Sequence, residues 1–243
     1  MAEDKIYGRN PVLEAIRHGR EIDKILIKKG GIDGSVNVIV KKAKDLGIII
    51  SEVDKKKLDS ICGGENHQGV VAYTAVHEYA TVKDILKKAA DKGQPPFIII
   101  CDKITDPHNL GSIIRTANCA GVDGIIIPKR NSVGLNAVVA KTSAGAVEYT
   151  PVARVTNIAQ TVEALKKEGV WVAGADMDGE PMGKCDLKGA LALVIGNEGE
   201  GISHLVKEKC DFLVSIPMFG DINSLNASVA AAVLTYEAVR QRD

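Results

Sequence analysis

The chain has 243 residues, of which 45% are hydrophobic and 26% are charged, the proportions of an ordinary globular protein. Its longest apolar runs fall far short of the ~20 residues that span a bilayer. The acidic start of the chain also lacks the apolar segment of a signal peptide. These features argue against a membrane protein, a secreted precursor and a disordered chain, so we expect a cytoplasmic protein.

Charge and potential metal ligands give no functional signal on their own. The 31 basic residues balance the 31 acidic ones, and residues 1–75 carry 13 basic and 11 acidic side chains. The strongly basic surface of many nucleic-acid-binding proteins is therefore not expected. The five cysteines form no CxxC pair and the five histidines show no HxxxH spacing. We predict neither a disulfide framework nor a metal site.

The first third of the chain alternates between strand-like runs and short amphipathic helices. Helices are predicted over 10–17, 36–46 and 55–61, and strands over 22–27, 48–53 and 69–74. These elements form a small α/β domain over residues 1–75. A linker is predicted over 76–95, because Gly93, Pro95 and Pro96 mark a boundary before the next strand. A helix predicted over 82–90 belongs either to this linker or to the start of the second domain.

Residues 96–243 have the pattern of a second α/β domain. Runs such as FIIIC, GIIIP and LALVIG are apolar at consecutive positions, as expected of parallel strands covered on both faces. The fold class is therefore α/β with a parallel sheet. Strands are predicted over 97–102, 124–127, 149–154, 171–175, 191–195 and 212–216, and helices over 111–120, 136–145, 158–168, 202–209 and 226–240.

Polar, glycine-containing segments follow three of these strands, over 102–117, 195–201 and 216–228. Each segment alone has a plain structural interpretation, as a turn, as solvated glutamates or as a helix cap. Together they predict a ligand site, because ligands of parallel sheets bind at the carboxyl ends of strands. The apolar side chains of Ile216, Met218 and Leu225 suit an aromatic ring such as adenine. Neither GxGxxG nor GxxxxGKS/T is present, which disfavours a dinucleotide or P-loop site.

The segments DPHNLGSIIRTA, LVIGNEGEGIS and IPMFGDINSLNASVAAAVLTYE, in this order, resemble the three motifs of the SpoU branch of the SPOUT RNA methyltransferases. The resemblance covers essentially all of 97–240. It implies a deep trefoil knot, a homodimer packed through the catalytic domain, and S-adenosylmethionine as the cofactor. The implied cofactor contacts are Gly196, Ile216, Met218, Leu225 and Asn226, and the implied catalytic positions are Asn109, Arg115, Glu198, Ser224 and Asn226.

The chemistry of this family sets the task of those side chains. A methyl group on a sulfonium ion is already activated, so an enzyme of this family would align a ribose hydroxyl and help to remove its proton, without need of a metal. The family's base candidate falls on Arg115, assisted by RNA phosphate. An arginine, with a pKa above ~12, scarcely deprotonates. Bidentate binding of the target phosphate, which would orient the hydroxyl, is therefore as good a role for Arg115 as that of the base. Glu198 is suited to fix either Arg115 or Asn109.

Two N-terminal segments, YGRNPVLEA at 7–15 and NHQGVVA at 66–72, resemble a small ribosomal-protein-like domain found in one subgroup. That subgroup methylates a guanosine 2′-hydroxyl in the peptidyl-transferase region of bacterial large-subunit rRNA. The implied partner is this rRNA, either naked or in an assembling particle. Methylation of tRNA or of another rRNA nucleotide, and a catalytically silent RNA-binding or assembly protein, are the alternatives. The candidate RNA contacts, which also fit a solvated charged face, are Arg9, Asn10, Arg17, Arg20, His67 and Gln68.

Overall fold

The computed structural model describes residues 5–242. Residues 1–4 of the predicted first domain and residue 243 of the second lie outside this described part. The chain forms two compact units. One consists of the residues up to Glu78 together with Gly134–Ala137, and the other of Tyr79–Val133 together with the chain from Val138 onward.

The first unit is built on a four-stranded mixed sheet. In the order β1-β4-β2-β3, β2 and β3 run parallel and the other neighbours antiparallel. All six predicted elements are present within two residues of their predicted ends. The prediction lacks β1, because three residues are too few to show an alternating pattern. The elements are β1 (Lys5–Tyr7), α1 (Arg9–Arg17), β2 (Ile22–Lys28), α2 (Gly34–Asp45), β3 (Ile49–Val53), α3 (Lys55–Cys62) and β4 (Val70–Thr74).

Helices pack on both faces of this sheet. On one face, α1 and α2 enclose an apolar core that includes Val12, Ile25 and Ile39. On the other face, α3 contributes Leu58 to a smaller cluster with Leu26 and Val71. The alternation of buried side chains along β2, with Ile25 on one face and Leu26 on the other, follows from the pleat of the strand.

The second unit contains a six-stranded sheet in the order β10-β8-β9-β5-β6-β7, and all neighbouring strands are parallel. The central strands β5 and β9 are buried along their whole length. The predicted α/β class with a parallel sheet is confirmed. From α4 onward the elements are α4 (Val82–Asp91), β5 (Phe97–Cys101), α5 (Pro107–Cys119), β6 (Gly124–Pro128), α6 (Ala137–Thr142), β7 (Val152–Val155), α7 (Ile158–Lys167), β8 (Trp171–Pro181), β9 (Leu191–Ile195), α8 (His204–Lys209), β10 (Phe212–Ser215) and α9 (Ala227–Arg242).

Two strands differ from their predicted bounds. The strand predicted from residue 149 begins at Val152, because Ala146–Glu148 form a short 3₁₀ turn. The strand predicted to end at 175 continues to Pro181. Its first half pairs with the start of β10, the register then shifts, and Glu180 pairs with Val214. The residues between the two paired halves leave the regular ladder.

Two helices also differ from the prediction. α5 begins at Pro107 rather than at 111, because the Asp106 carboxylate accepts the His108 backbone N–H at 2.8 Å and caps the helix. α6 ends at Thr142 rather than at 145, where Ala144 and Gly145 adopt positive φ. α4 forms as predicted, and it packs into the core of the second unit through Ile85. Gly124 on β6 makes room for it, since a Cβ there would lie 2.5 Å from the Ile85 side chain.

Candidate active site

A cavity of about 540 Å³ opens where the chain leaves the second unit's strands. Its walls come from the irregular part of β8, the loop after β9, the loop after β10, and one side of α8 and α9. This is the carboxyl edge at which the sequence predicts a ligand site. Six of the predicted residues line the cavity: Gly196, Glu198, Ile216, Met218, Ser224 and Leu225.

The loop after β9 is folded tightly against its own backbone. A Cβ on Gly196 would lie 2.1 Å from the carbonyl carbon of Gly201, so only glycine fits there. The Asn197 side-chain oxygen accepts the backbone N–H groups of Gly199 at 2.9 Å and Glu200 at 2.7 Å. Asn197 is a cavity-lining residue that the prediction missed, although an asparagine at the start of a glycine-rich turn signals this bond.

A hydrogen-bond network joins the three motifs. The Glu198 carboxylate accepts the side-chain amide of Asn109, the side-chain amide of Asn226 at 3.2 Å and the Ala227 backbone N–H at 3.3 Å. Asn226 also donates to the Asn109 side-chain oxygen at 2.9 Å. Asn109 is buried within this network. The network therefore links α5, the β9 loop and the start of α9.

Asn226 has a second role at the start of α9. Its side-chain oxygen accepts the Ser228 backbone N–H at 2.9 Å and the Ser228 hydroxyl at 2.6 Å, which caps the helix. Asn226 does not line the cavity, whereas the neighbouring Ser224 and Leu225 do. Its side-chain bonds fit the predicted polar role, and its contact with the cofactor stays a prediction.

Arg115 lies apart from the network. It lies six positions after Asn109 on α5, and this offset turns the two side chains about 120° from each other. Arg115 is exposed and does not line the cavity. Within residues 5–242, it takes part in none of the hydrogen bonds of Glu198. Of the two partners considered for Glu198, the structure therefore pairs it with Asn109.

Charged pairs that the prediction missed border the cavity. Lys207 on α8 lies 2.9 Å from the Asp176 carboxylate of β8, and this hydrogen bond raises the pKa of Lys207. Lys103 lies 2.9 Å from Glu200, and this bond lowers the pKa of the carboxyl and raises that of the amine. The first pair joins two elements of the cavity wall. No sequence motif marks it, because its partners come from segments about 30 residues apart.

The RNA contacts predicted in the first unit fall into different environments. Arg9 donates to the Gln68 carbonyl at 3.1 Å and to the Asp33 carboxylate at 2.8 Å, and Arg9, His67 and Gln68 border one groove. Arg20 borders a second groove. Arg17 pairs with a neighbouring carboxylate of α1, and Asn10 is exposed.

His67 is held inside the first unit. It is buried, its Nε2 lies 2.8 Å from the Asp59 carboxylate, and its Nδ1 accepts the Gly69 backbone N–H at 2.9 Å. Both ring nitrogens are therefore engaged. These bonds make His67 a support for the turn before β4, and its contact with RNA stays a prediction.

Between residues 5 and 242, no group of three or more His, Cys, Asp or Glu side chains is arranged to hold a metal ion. No helix within the same residues is long and apolar enough to cross a membrane.

Comparison with known families assigns both units. Residues 96–236 match the model of the SpoU rRNA methylase family, and residues 5–80 match the model of an RNA 2′-O ribose methyltransferase substrate-binding domain. The chain belongs to the SpoU family. The resemblance that the three motifs carry is confirmed, and the protein is an RNA 2′-O-methyltransferase of the SpoU/TrmH type.

Individual SpoU relatives match over the full length. A Bacillus subtilis protein assigned to the TrmH family of tRNA/rRNA methyltransferases is 48% identical over 99% of this chain and 96% of its own length. A Staphylococcus aureus protein of the same assignment is 49% identical over the whole chain and 98% of its own length.

Solved SpoU structures also match. The SpoU methyltransferase AviRb from Streptomyces viridochromogenes, in complex with AdoMet (S-adenosylmethionine), has a TM-score of 0.61 and 26% identity over 98% of this chain and 89% of that one. An AdoMet-bound rRNA methyltransferase from Sinorhizobium meliloti has a TM-score of 0.60 and 26% identity over 97% of this chain and 86% of that one. An Aquifex aeolicus TrmH/SpoU tRNA-modifying enzyme, with a TM-score of 0.56 and 27% identity, covers 61% of this chain and 76% of its own.

Proposed function

We propose that this protein transfers a methyl group from S-adenosylmethionine to the 2′-hydroxyl of a guanosine in bacterial large-subunit (23S) rRNA during ribosome maturation, in the cytoplasm. The supporting observation is the extent of the structural match. The rRNA methyltransferase of S. meliloti matches 97% of this chain, whereas the tRNA-modifying enzyme of A. aeolicus matches 61%. The choice of guanosine rests on the resemblance of segments 7–15 and 66–72 to one subgroup.

The cavity suits S-adenosylmethionine in size and in chemistry. A volume of about 540 Å³ lies within the range of small-molecule sites, ~300–1,000 Å³. Ile216, Met218 and Leu225 offer apolar contact to an adenine ring. The Asp176–Lys207 pair offers both signs of charge to the ammonium and carboxylate groups of the methionine part. When bound, the cofactor supplies a methyl group on a sulfonium cation.

The Glu198–Asn109–Asn226 network positions the loops that enclose the cofactor and the target ribose. A carboxylate that accepts several N–H groups holds them in place with charge-assisted hydrogen bonds. Ser224 lines the cavity and offers a hydroxyl at the same edge. Arg115 is the candidate to bind the target phosphate and orient the ribose hydroxyl, because its planar guanidinium forms bidentate bonds with phosphate.

The proposal includes a homodimer packed through the second unit, and the trefoil knot that the resemblance implies. Over its first ten residues, 227–236, α9 is largely apolar, yet Val229 and Tyr236, seven residues apart on one side, are exposed. α5, which packs against α9, exposes Cys119 and Arg115 one turn apart. A second copy of the chain would cover such a face, since helices that are apolar all round are usually buried.

The test is transfer of labelled methyl from S-adenosylmethionine to separate rRNA and tRNA pools from cells that lack this gene, with Arg115→Ala and Asn226→Ala as controls. We expect label in large-subunit rRNA at one guanosine, in a form that resists alkaline cleavage. In both variants the rate of methyl transfer is expected to fall at least a hundredfold, which corresponds to a loss of about 3 kcal/mol in transition-state stabilisation.

Other results would redirect the assignment. Label only in tRNA would contradict the rRNA substrate. Label only in precursor particles would assign the enzyme to assembling ribosomes. Cofactor binding without transfer to any pool or particle would instead favour the catalytically silent RNA-binding protein.

A further inference from the structure

The sheet of the first unit carries a transverse row of two lysines and a tyrosine that the roles above do not use. Tyr73 on β4 pairs with Lys5 on β1 and with Lys24 on β2, the strands on its two sides. The ammonium groups lie 5.8 Å (Lys5) and 4.7 Å (Lys24) from the centre of the Tyr73 ring. Directly paired residues share one face of a sheet, so these three side chains form a single surface feature, the Lys5–Tyr73–Lys24 row.

The row lies on the same face as α3 but beyond the cluster that α3 covers. Val71 and Leu26, which pack with α3, stand two residues further along β4 and β2 and therefore on the same face. Tyr73 packs against the edge of that cluster and is half-buried, while Lys24 is exposed. The ring is thus anchored on one side by packing and flanked by two cations.

The row is separate from the groove that holds Arg9 and Gln68. Lys5 and Lys24 lie near the starts of β1 and β2, and Tyr73 lies near the end of β4. Arg9 follows the end of β1, and Gln68 precedes the start of β4. The two features therefore lie toward opposite ends of the same strands. An RNA strand bound at both the row and the groove would run along the direction of these strands.

The chemistry of the row fits single-stranded RNA. Aromatic side chains stack bases, and lysines pair with backbone phosphates. β1 is an edge strand of the described sheet, and the cation on that side of the Tyr73 ring is the more distant of the two. The family model for RNA substrate binding spans 5–80 and includes the whole row.

We propose that the Lys5–Tyr73–Lys24 row binds one unpaired nucleotide of the RNA substrate. Its base stacks on the β1 side of Tyr73, and the two lysines pair with the phosphates on either side of it. The long, flexible lysine side chains exchange their contact with the ring for contact with phosphate. This inference rests on the proposed function only in taking RNA as the substrate class.

The experiment measures binding of the full-length protein to fluorescein-labelled oligouridylate by fluorescence anisotropy at several KCl concentrations. Tyr73→Leu is expected to weaken binding about tenfold, while Tyr73→Phe stays within about twofold of the wild type, because phenylalanine keeps the stacking face. The double variant Lys5→Ala/Lys24→Ala is expected to make the slope of log affinity against log salt shallower by about 1.4, the value for two phosphates of a single strand.

A matched double variant controls for net charge. Lys41→Ala/Lys44→Ala removes two exposed lysines from α2, which packs on the opposite face of the same sheet. It is expected to leave the salt slope unchanged. Thermal melts followed by circular dichroism show whether the Tyr73 variants fold, and the lysine pair tests the row independently.

Several results would overturn the proposal. One is wild-type affinity in both Tyr73→Leu and Lys5→Ala/Lys24→Ala. Another is an equal change of salt slope in the two double lysine variants. A third is the absence of oligouridylate binding by the wild-type protein. Row variants that bind RNA normally but methylate only assembling particles poorly would assign the row to a protein partner instead. Failure of the proposed function would show separately, as absence of methyl transfer by the wild-type enzyme.

Discussion

At the scale of single residues, the candidate active site depends on close backbone approaches. The turn that follows β9 returns on itself, and Gly196 meets the backbone of Gly201 where any side chain would collide. Three residues on, Gly199 has ordinary space, with the Asn197 side-chain oxygen 3.6 Å from the position of a Cβ. Of these two glycines in one loop, the surrounding space therefore requires only Gly196.

Gly196→Ala is expected to destabilise the second unit and to weaken cofactor binding. The added methyl group meets main-chain atoms that cannot rotate away, so the loop must move, at a cost of about 1–3 kcal/mol in the free energy of unfolding. We expect S-adenosylmethionine affinity to fall at least tenfold, because the same loop lines the cavity. Calorimetric titration and thermal denaturation measure the two effects.

Gly199→Ala is the matched control for this loop. The same methyl group added there is expected to leave both the melting temperature and the cofactor affinity close to those of the wild type. Equal losses in the two variants would mean that the loop tolerates no side chain anywhere, and the specific role of the Gly196–Gly201 approach would be wrong.

The sequence could predict which polar residues meet, but not which way each side chain faces. Asn109, Glu198 and Asn226 follow three strands whose carboxyl ends share one edge, so their proximity follows from the parallel sheet. The outward direction of Arg115 depends on how α5 docks. The burial of His67 depends on α3, which supplies Asp59. The local sequence pattern does not indicate how α5 or α3 packs.

At the scale of elements, apolar runs predicted the strands, and irregular pairing escaped prediction. FIIIC and LALVI are buried at every position. Runs that are apolar at consecutive positions are typical of parallel strands covered on both faces. β8 departs from its ladder after Gly174 and returns at Glu180. The local sequence could not predict this irregularity, because the partner strand β10 lies more than 30 residues away. That irregular segment carries Asp176 to the cavity, which is why the Asp176–Lys207 pair was missed.

The Asp176–Lys207 bond predicts a pH dependence of stability. It raises the pKa of Lys207 above the ordinary value near 10.5, so its stabilising effect is fully present below that pH and is lost as the pH rises through the folded-state value. The difference in melting temperature between the wild type and Lys207→Met should therefore stay constant up to about pH 10 and shrink above it. Thermal melts across this range measure the difference.

Lys209→Met provides the control on the same helix. Lys209 forms an ion pair with Glu163 at 2.6 Å, its pKa is also raised, and it does not line the cavity. Both variants are expected to show the same alkaline behaviour, whereas cofactor affinity should fall about fivefold in Lys207→Met alone. Equal affinity in the two variants would remove the pair from the proposed cofactor contacts.

At the scale of the whole molecule, the exposed face of α5 and α9 and the isolation of Arg115 have one joint explanation. The hydrogen-bond network of Glu198 lacks Arg115. The other members of that network, Asn109 and Asn226, come from the same chain as Glu198. If two copies pack through this face, Arg115 of one copy can reach the cavity of the other. An isologous dimer would then contain two such shared sites.

Subunit complementation tests this arrangement. Arg115→Ala and Asn226→Ala chains carrying different affinity tags are co-expressed, and the mixed dimer is isolated by two successive purifications. Each variant alone is expected to be nearly inactive. If Arg115 acts across the dimer, the mixed dimer has one site with an intact Asn226 and an intact Arg115 from the other chain, and it should recover about half of the wild-type activity.

The outcome separates the two places in which Arg115 can act. If Arg115 serves the site of its own chain, both sites of the mixed dimer lack one group, and activity stays at the level of the single variants. A mixed dimer of wild-type and Arg115→Ala chains is the control, and it should show about half of the wild-type activity under either arrangement, because one arginine is lost in both. Half activity in that control with none in the complemented dimer would therefore contradict the shared site and place Arg115 beside its own chain's network.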